Sequence, residues 1–291
     1  MKPASFRYHD PATVEEAVSL LAEHGEDAKI LAGGQSLVPL MNFRLARPKN
    51  LVDINRILEL DYIREQDHSL VIGALARQRT VELSELVKTR NPLIAEASQF
   101  IGHPAIRNRG TVCGSLAHAD PAAEWPALAL VMDATFAVRG PDGERQIPAD
   151  DFFVSYFSTC LNPQEILTEI RVPVLRPGAG WSFLEVSRRH GDFALVGVAL
   201  WLTADADGVC TDCAIALTSV GARPVRAKAL EQRLRGERLG EHLFQMATES
   251  LPDELEPDSD IHASSDYRRH VAGVITRRAL AIAHKRVGAF E

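Results

Sequence analysis

Thr111–Pro126 reads TVCGSLAHADPAAEWP, and Lys29–Leu40 reads KILAGGQSLVPL. The earlier stretch opens on a short apolar run, Lys29-Ile30-Leu31-Ala32, which suits a buried strand. Gly33-Gly34 then breaks the pattern. Adjacent glycines adopt positive φ and admit a ligand against bare backbone. Ser36 suits the N-cap of a short helix, with Pro39 limiting its first turn. Strand, glycine turn and helix start form an anion cradle, because free N–H groups and the positive helix end point to one place. A plain Gly-Gly turn fits the same residues.

The later stretch repeats the theme. Gly110-Thr111-Val112-Cys113-Gly114-Ser115 is a run of small and hydroxyl residues that permits close backbone approach. Asp120 suits a helix cap and Pro121 a first turn, for a helix through Glu124, Trp125 and Leu128 to Met132. Glu124 in that helix has two readings: an acceptor for a ribose hydroxyl, or an acid that stabilises the helix dipole. The chain has no G-x-G-x-x-G and no G-x-x-x-x-G-K-[ST]. A Rossmann fingerprint and a P-loop are therefore both missing.

In this order and spacing the two loops resemble those of the FAD-binding medium subunit of the molybdenum hydroxylases, the carbon monoxide dehydrogenase and xanthine dehydrogenase type. The likeness is carried by Ala32–Asn55 (AGGQSLVPLMNFRLARPKNLVDIN), Ile101–Leu128 (IGHPAIRNRGTVCGSLAHADPAAEWPAL), Leu161–Pro173 (LNPQEILTEIRVP) and Phe183–Ala199 (FLEVSRRHGDFALVGVA). Leu217–Ala227 and Ser265–Leu280 extend it to the C-terminal part.

The resemblance implies an α+β chain with the FAD-binding fold of the p-cresol methylhydroxylase and vanillyl-alcohol oxidase type. A C-terminal domain with a three-stranded antiparallel sheet and helices follows. It implies non-covalent FAD, a large molybdopterin-binding partner subunit and a small partner with two [2Fe-2S] clusters, in a dimer of heterotrimers. Electrons would arrive from the iron–sulfur subunit and leave through the flavin. By the same resemblance, Lys29, Ile30, Leu31, Ala32, Gly33, Gly34, Gln35 and Ser36 hold the pyrophosphate from one side. Thr111, Val112, Cys113, Gly114 and Ser115 hold it from the other. Glu124 binds toward the ribose or adenine end, and Ile101 and Leu161 pack near the ring systems. The segment from Glu185 to Phe193 approaches the isoalloxazine, and His118 is a further site candidate. Three departures stand out: Gln35 where relatives often have His, Cys113 where many have Gly, and Glu185 where Lys or Gln is common.

Composition fits this reading. The chain has 291 residues, 46% hydrophobic and 24% charged, as in an ordinary water-soluble protein. A net charge of −7 without a basic block argues against nucleic acid as a partner. Arg268-Arg269 and Arg277-Arg278 suit a solvated helix face or a subunit contact. Cys210 and Cys213 form a lone C-x-x-C, short of a zinc or iron–sulfur ligand set. On an alternating strand they face opposite ways. Few, unpatterned thiols and no secretory h-region suit a reducing cytoplasm. No apolar run is long enough for a membrane span.

Along the chain, three units are expected: 1–57, 58–175 and 176–291. The first holds an extended Phe6–Tyr8, a helix capped by Thr13 with Glu16 and stopped by Gly25, and strands at Lys29–Ala32 and Asn50–Asp53. The second pairs Tyr62–Arg64 with Leu70–Gly73. It has helices at Thr80–Lys88 and Asn91–Phe100, and a hairpin turning at Gly140-Pro141-Asp142-Gly143. A strand at Glu165–Val172 closes it. The third has strands at Gly180–Arg188, Ala194–Thr203 and Thr211–Val220, then three helical stretches. In the last of these Tyr267, Val271, Val274 and Ile275 make an apolar face.

His103, His118 and His190 lack a metal-ligand spacing, and neither H-E-x-x-H nor G-x-S-x-G occurs. Arg188-Arg189 suits either a flavin phosphate or a solvated strand end. Two other functions fit the loops less well. A stand-alone flavoenzyme, such as a UDP-sugar reductase or phenol oxidase, needs catalytic residues or a substrate domain not recognisable here. A non-catalytic nucleotide-binding scaffold would be colourless.

Overall fold

The computed structural model describes residues 2–289, so the last two residues of the expected C-terminal unit lie outside the described residues. The first segment is a parallel three-stranded sheet, ordered Arg7–His9, Asn50–Asp53, Ala28–Leu31. The helix Val14–His24 crosses between two of its strands. Thr13 caps it by accepting from the Glu16 amide, and Gly25 ends it at φ 51°. The Glu16 carboxylate reaches back to the Ala12 amide rather than to Thr13.

The second sheet has five antiparallel strands: Ile63–Gln66, Ser69–Gly73, Ile166–Pro173, Thr135–Gly140 and Gly143–Pro148. Asp67 and His68 turn the first hairpin, both at positive φ, as a two-residue loop requires. The expected helix at Thr80–Lys88 is broken at Ser84 into Gln78–Leu83 and Glu85–Arg90, and Ser84 caps the second piece.

The C-terminal sheet has four strands, not three: Gly180–Val186, Val196–Ala204, Cys210–Thr218 and the two-residue Val225–Arg226. Both faces are buried. Ala199 and Trp201 face the main core, while Val196, Val198, Leu200 and Leu202 face a second core under the C-terminal helices. That alternation is the period of a strand. Trp201 Nε1 donates to the Val131 carbonyl at 2.9 Å and ties the sheet to the helix Glu124–Val131.

Two expectations are corrected here. A bulge opposite Thr203 and Ala204 shifts the register, so Cys210 and Cys213 both enter the second core instead of facing opposite ways. Both remain free thiols. Arg268 does not solvate a helix face. It is 7% exposed, donates to the Leu195 carbonyl and pairs with Asp260 at 2.8 Å, pinning the helix Ser265–Lys285 to the sheet. Among the described residues, no helix is long and apolar enough to cross a membrane.

Candidate functional site

The two glycine loops converge. Gly33 lies so close to the later loop that a Cβ on it would sit 2.4 Å from the Arg109 carbonyl and 2.7 Å from Gly110 Cα. Gly34, at φ 73°, needs the left-handed region that glycine favours. Among the described residues, the amides of Gly34, Gln35 and Ser36 find no backbone acceptor. The helix Leu37–Asn42 follows, without a side-chain cap from Ser36.

The later stretch is a helix where a loop was expected. Thr111 accepts from the Gly114 amide at 3.1 Å and starts the helix Val112–His118. Cys113 is helical and buried, so its side chain imposes no strain. Asp120 accepts from the Ala122 amide in a tight turn, and the next helix starts at Glu124 rather than Pro121. The C-terminal sheet holds that turn. The Ser219 amide donates to the Pro121 carbonyl at 2.8 Å, and the Thr218 hydroxyl lies 2.5 Å and 2.8 Å from the carbonyls of Pro121 and Ala123.

Between the loops runs a groove of about 1370 Å³. Drug-sized ligands fill pockets of about 300–1,000 Å³, so this one has room for a dinucleotide. Of the expected site residues, Lys29, Ile30, Ala32, Gly33, Gly34, Gln35, Ser36, Ile101, Thr111, Cys113, Gly114, Ser115, His118, Glu124, Leu161 and Phe193 line it. Leu31, Val112 and Glu185 do not. Leu31 packs behind the Gly34 turn, and Val112 is fully buried. Arg188 and Arg189 also line the groove, and Arg188 meets His262 at 2.6 Å. His103 lines it too, whereas His190 is exposed outside it.

Burial shifts two titratable groups on the groove wall, Glu124 and His118, and one outside its lining, Glu185. Glu124 is 4% exposed, and burial pushes its carboxyl up to about 7. Burial, then the nearby Glu124, pushes Glu185 up to about 8, and Glu185 Oε2 has no hydrogen-bond partner among the described residues. Burial lowers the His118 pKa, and its ring packs on Phe157 at 5.2 Å. These groups are neutral over a range where exposed counterparts are charged.

Several supporting residues carry no local sequence signal. Arg77 donates from Nη1 to the Arg109 carbonyl at 2.7 Å and from Nη2 to Asn55 Oδ1 at 2.6 Å. Asn55 donates to the Ala32 carbonyl at 2.9 Å. Arg107, 5% exposed, donates to the carbonyls of Ile101 and Gly102, both at 2.9 Å, and pairs with Glu82 at 2.7 Å. Gln78 is 5% exposed and lines the groove, with Oε1 unpartnered among the described residues. A buried acceptor facing the groove fits a ligand rich in hydroxyl donors. The free loop amides fit an anion. Together they suit a ligand that carries both hydroxyl groups and an anionic diphosphate.

Residues 4–175 match the family described as the FAD binding domain in molybdopterin dehydrogenase. Residues 181–283 match the CO dehydrogenase flavoprotein C-terminal domain. The chain belongs to the FAD-binding subunits of the molybdenum hydroxylases. It is 43% identical to the 6-hydroxypseudooxynicotine dehydrogenase complex subunit alpha of Paenarthrobacter nicotinovorans, across 97% of this chain and 95% of that one. It is 41% identical to the carbon monoxide dehydrogenase medium chain of Hydrogenophaga pseudoflava, across 98% and 99%. The solved structure of carbon monoxide dehydrogenase from that organism, in a form lacking the Mo-pyranopterin moiety of its cofactor, superposes with a TM-score of 0.96. The match covers 99% of this chain and 100% of that one. As a molybdenum hydroxylase flavoprotein subunit, the chain is part of an oxidoreductase.

Proposed function

We propose that this subunit holds one non-covalent FAD in the groove and relays electrons from an iron–sulfur partner to an external acceptor. The observation that carries the reading is the convergence of two glycine-bearing backbone segments on one groove, inside the segment that matches the FAD-binding family. The amides at Gly34–Ser36 and the loop from Thr111 to Ser115 would hold the pyrophosphate. Gln78 and Glu124 would meet ribityl or ribose hydroxyls. Phe193, 62% exposed on the groove, and the segment leading to it from Glu185 would face the isoalloxazine. When bound, the flavin supplies two-electron acceptance and onward transfer. The chain's own residues fix its place and keep nearby carboxyls neutral.

The assembly completes the reading. A large molybdopterin subunit would oxidise the substrate, and a small subunit with two [2Fe-2S] clusters would deliver the electrons, in a cytoplasmic dimer of heterotrimers. The three units 1–57, 58–175 and 176–291, with the first two in a p-cresol methylhydroxylase type fold, form the scaffold. Gln35 stands where a histidine would offer a covalent flavin link.

Acid precipitation of the purified chain after flavin reconstitution tests the cofactor. Yellow flavin released to the supernatant, about one per chain, is the expected result. Colour kept in the pellet, or no flavin taken up, overturns it. The isolated chain is expected to reduce dyes slowly and to oxidise no purine, aromatic heterocycle or carbon monoxide. Co-expression with its neighbouring genes is expected to yield a complex that oxidises such a substrate.

A further inference from the structure

Two acids stand together behind the groove wall, and the C-terminal sheet puts them there. Glu185, Gly197 and Thr218 lie side by side on adjacent strands, Glu185 paired with Gly197 and Gly197 with Thr218. The row is on the face of the main core, since Phe183, Ala199 and Ala216, each two residues along its strand, pack there. A Cβ on Gly197 would lie 2.6 Å from Thr218 Cγ2 and 3.6 Å from Glu185 Cβ, so the glycine leaves the Glu185 side chain room beside Thr218. Thr218 holds the carbonyls of Pro121 and Ala123, and Ala123 is the N-cap of the helix Glu124–Val131. The row thus leads from Glu185 to the start of that helix, where Glu124 lines the groove.

Neither acid has an ion-pair partner among the described residues. Glu124 is buried, and Glu185 lies behind the groove lining with Oε2 buried and unpartnered among the described residues. Asp120, in the turn before the helix, repels Glu124. Arg107, of the helix Pro104–Arg107, favours its charge less than Asp120 opposes it, and is itself paired with Glu82. Glu96, on the helix Pro92–Ser98 that packs on the strand Gly180–Val186, is paired with Arg286. Arg226 acts at the far end of Glu124–Val131, on the Leu130 carbonyl. Two acids placed like this do not both ionise without a large cost, so one keeps a proton.

We infer that Glu124 and Glu185 form a proton-sharing pair, and that Glu185, the inner member, takes up a proton when an anionic flavin dinucleotide fills the groove. The inference deepens the FAD reading above and rests on it. A ligand over Glu124 removes water from that acid, and the repulsion between two carboxylates grows as their screening is lost. The ligand's phosphates add negative charge to the same groove. Its hydroxyls, by donating to Glu124, favour the charged form there. All three effects leave Glu185 as the place for the proton. The proton comes from solvent and converts a carboxylate to a carboxylic acid, and no electron moves. The pair then carries a single negative charge beside the bound cofactor.

The test is calorimetric titration of FAD into the apo-chain in Tris and in Bicine. Their heats of ionisation differ, so the difference in observed heat counts the protons exchanged. At about pH 8.5 Glu124 has already lost its proton in the apo-chain and Glu185 holds only part of one, so wild type is expected to take up about half a proton per flavin. Glu185→Gln is expected to lose most of that uptake. Lys29, His103, His118, Arg188, Arg189, Asp192 and His262, which also line the groove, are common to both chains and cancel in the comparison. At about pH 5.5, where Glu185 is already protonated, the difference between the chains is expected to vanish. An infrared difference spectrum at the higher pH should show a protonated carboxyl gained by wild type on binding and not by the variant. The wild-type spectrum decides the matter alone if the variant binds no flavin. Equal proton uptake in the two chains at the higher pH overturns the inference, as does a wild-type spectrum that gains no protonated carboxyl. A wild-type chain that gives no heat of flavin binding fails the cofactor reading itself, and is distinguished by that absence.

Discussion

Arg77 donates from Nη2 to Asn55 Oδ1 at 2.6 Å, and through this contact the two glycine loops are fastened together. Asn55 holds the Ala32 carbonyl before the earlier loop, and the other arm of Arg77 holds the Arg109 carbonyl before the later one. The fork geometry of the guanidinium is what spans both.

Arg77→Ala is therefore expected to weaken FAD binding by roughly tenfold or more, with about 2 kcal/mol lost from stability, the scale of hydrogen bonds to a charged donor. Arg77→Lys should recover little, since an ammonium lacks the fork. Flavin fluorescence titration of the apo-chain reads this directly. Unchanged affinity in both variants would remove Arg77 from the account.

Gly33→Val is expected to abolish flavin binding by forcing the loops apart, because its Cβ meets backbone at 2.4 Å. Gly114→Val acts differently: its Cβ falls 2.6 Å from Thr111 Oγ1 and displaces the cap of the helix Val112–His118. Loss of such a cap costs about 1 kcal/mol. Gly33→Val should thus show the larger fall in melting temperature. Wild-type flavin content in both would defeat the loop assignment.

Much of this arrangement was legible in the sequence, and the failures have physical causes. Asn50–Asp53, the hairpin around Pro141-Asp142 and the Thr13 cap all follow from local pattern and turn chemistry. The Val112–His118 helix read as a loop because Gly114 and Ser115 are poor helix formers, yet burial of Val112 and Leu116 overrides that weak prior. Asp120 has the chemistry of a helix cap, but it closes its own turn and the helix begins beyond it. Unbroken alternation would turn Cys210 and Cys213 to opposite faces, and one bulge undoes it. Arg77 and Arg107 act through contacts distant in sequence, to which no local pattern points.

Arg107→Ala is expected to destabilise the chain by about 2 kcal/mol, because it removes one of the two guanidinium partners of the half-buried Glu82 and strips two carbonyls of their donor. Glu82 is held below the ordinary carboxylate range by Arg107 and Arg79 despite the opposing effect of burial. The double change Arg107→Met with Glu82→Gln should cost less than the single one, since the only charge left without its partner is the solvent-exposed Arg79. Chemical denaturation separates the two. A single variant as stable as wild type would mean the turn at Ile101-Gly102 needs no such brace.

The neutral carboxyls give a signed dependence on pH. The folded chain holds protons on Glu124 up to about 7 and on Glu185 up to about 8, whereas both start from an ordinary value of 4.5 when unfolded. Between these values the folded state binds more protons than the unfolded one, so stability falls as pH rises. The contribution is complete below pH 4.5 and lost as pH passes through the folded values. His118, whose pKa is lowered by burial, works the other way, so a single pH profile mixes the two. Comparison with Glu185→Gln isolates the carboxyl, because glutamine keeps the shape and cannot ionise. The variant is expected to match wild type near pH 5 and to exceed it by roughly 1–3 kcal/mol at pH 8.5, in the absence of flavin. Urea denaturation of both chains across that range measures the difference. Parallel profiles would show that Glu185 is charged in the folded chain and that its burial is compensated by some other group.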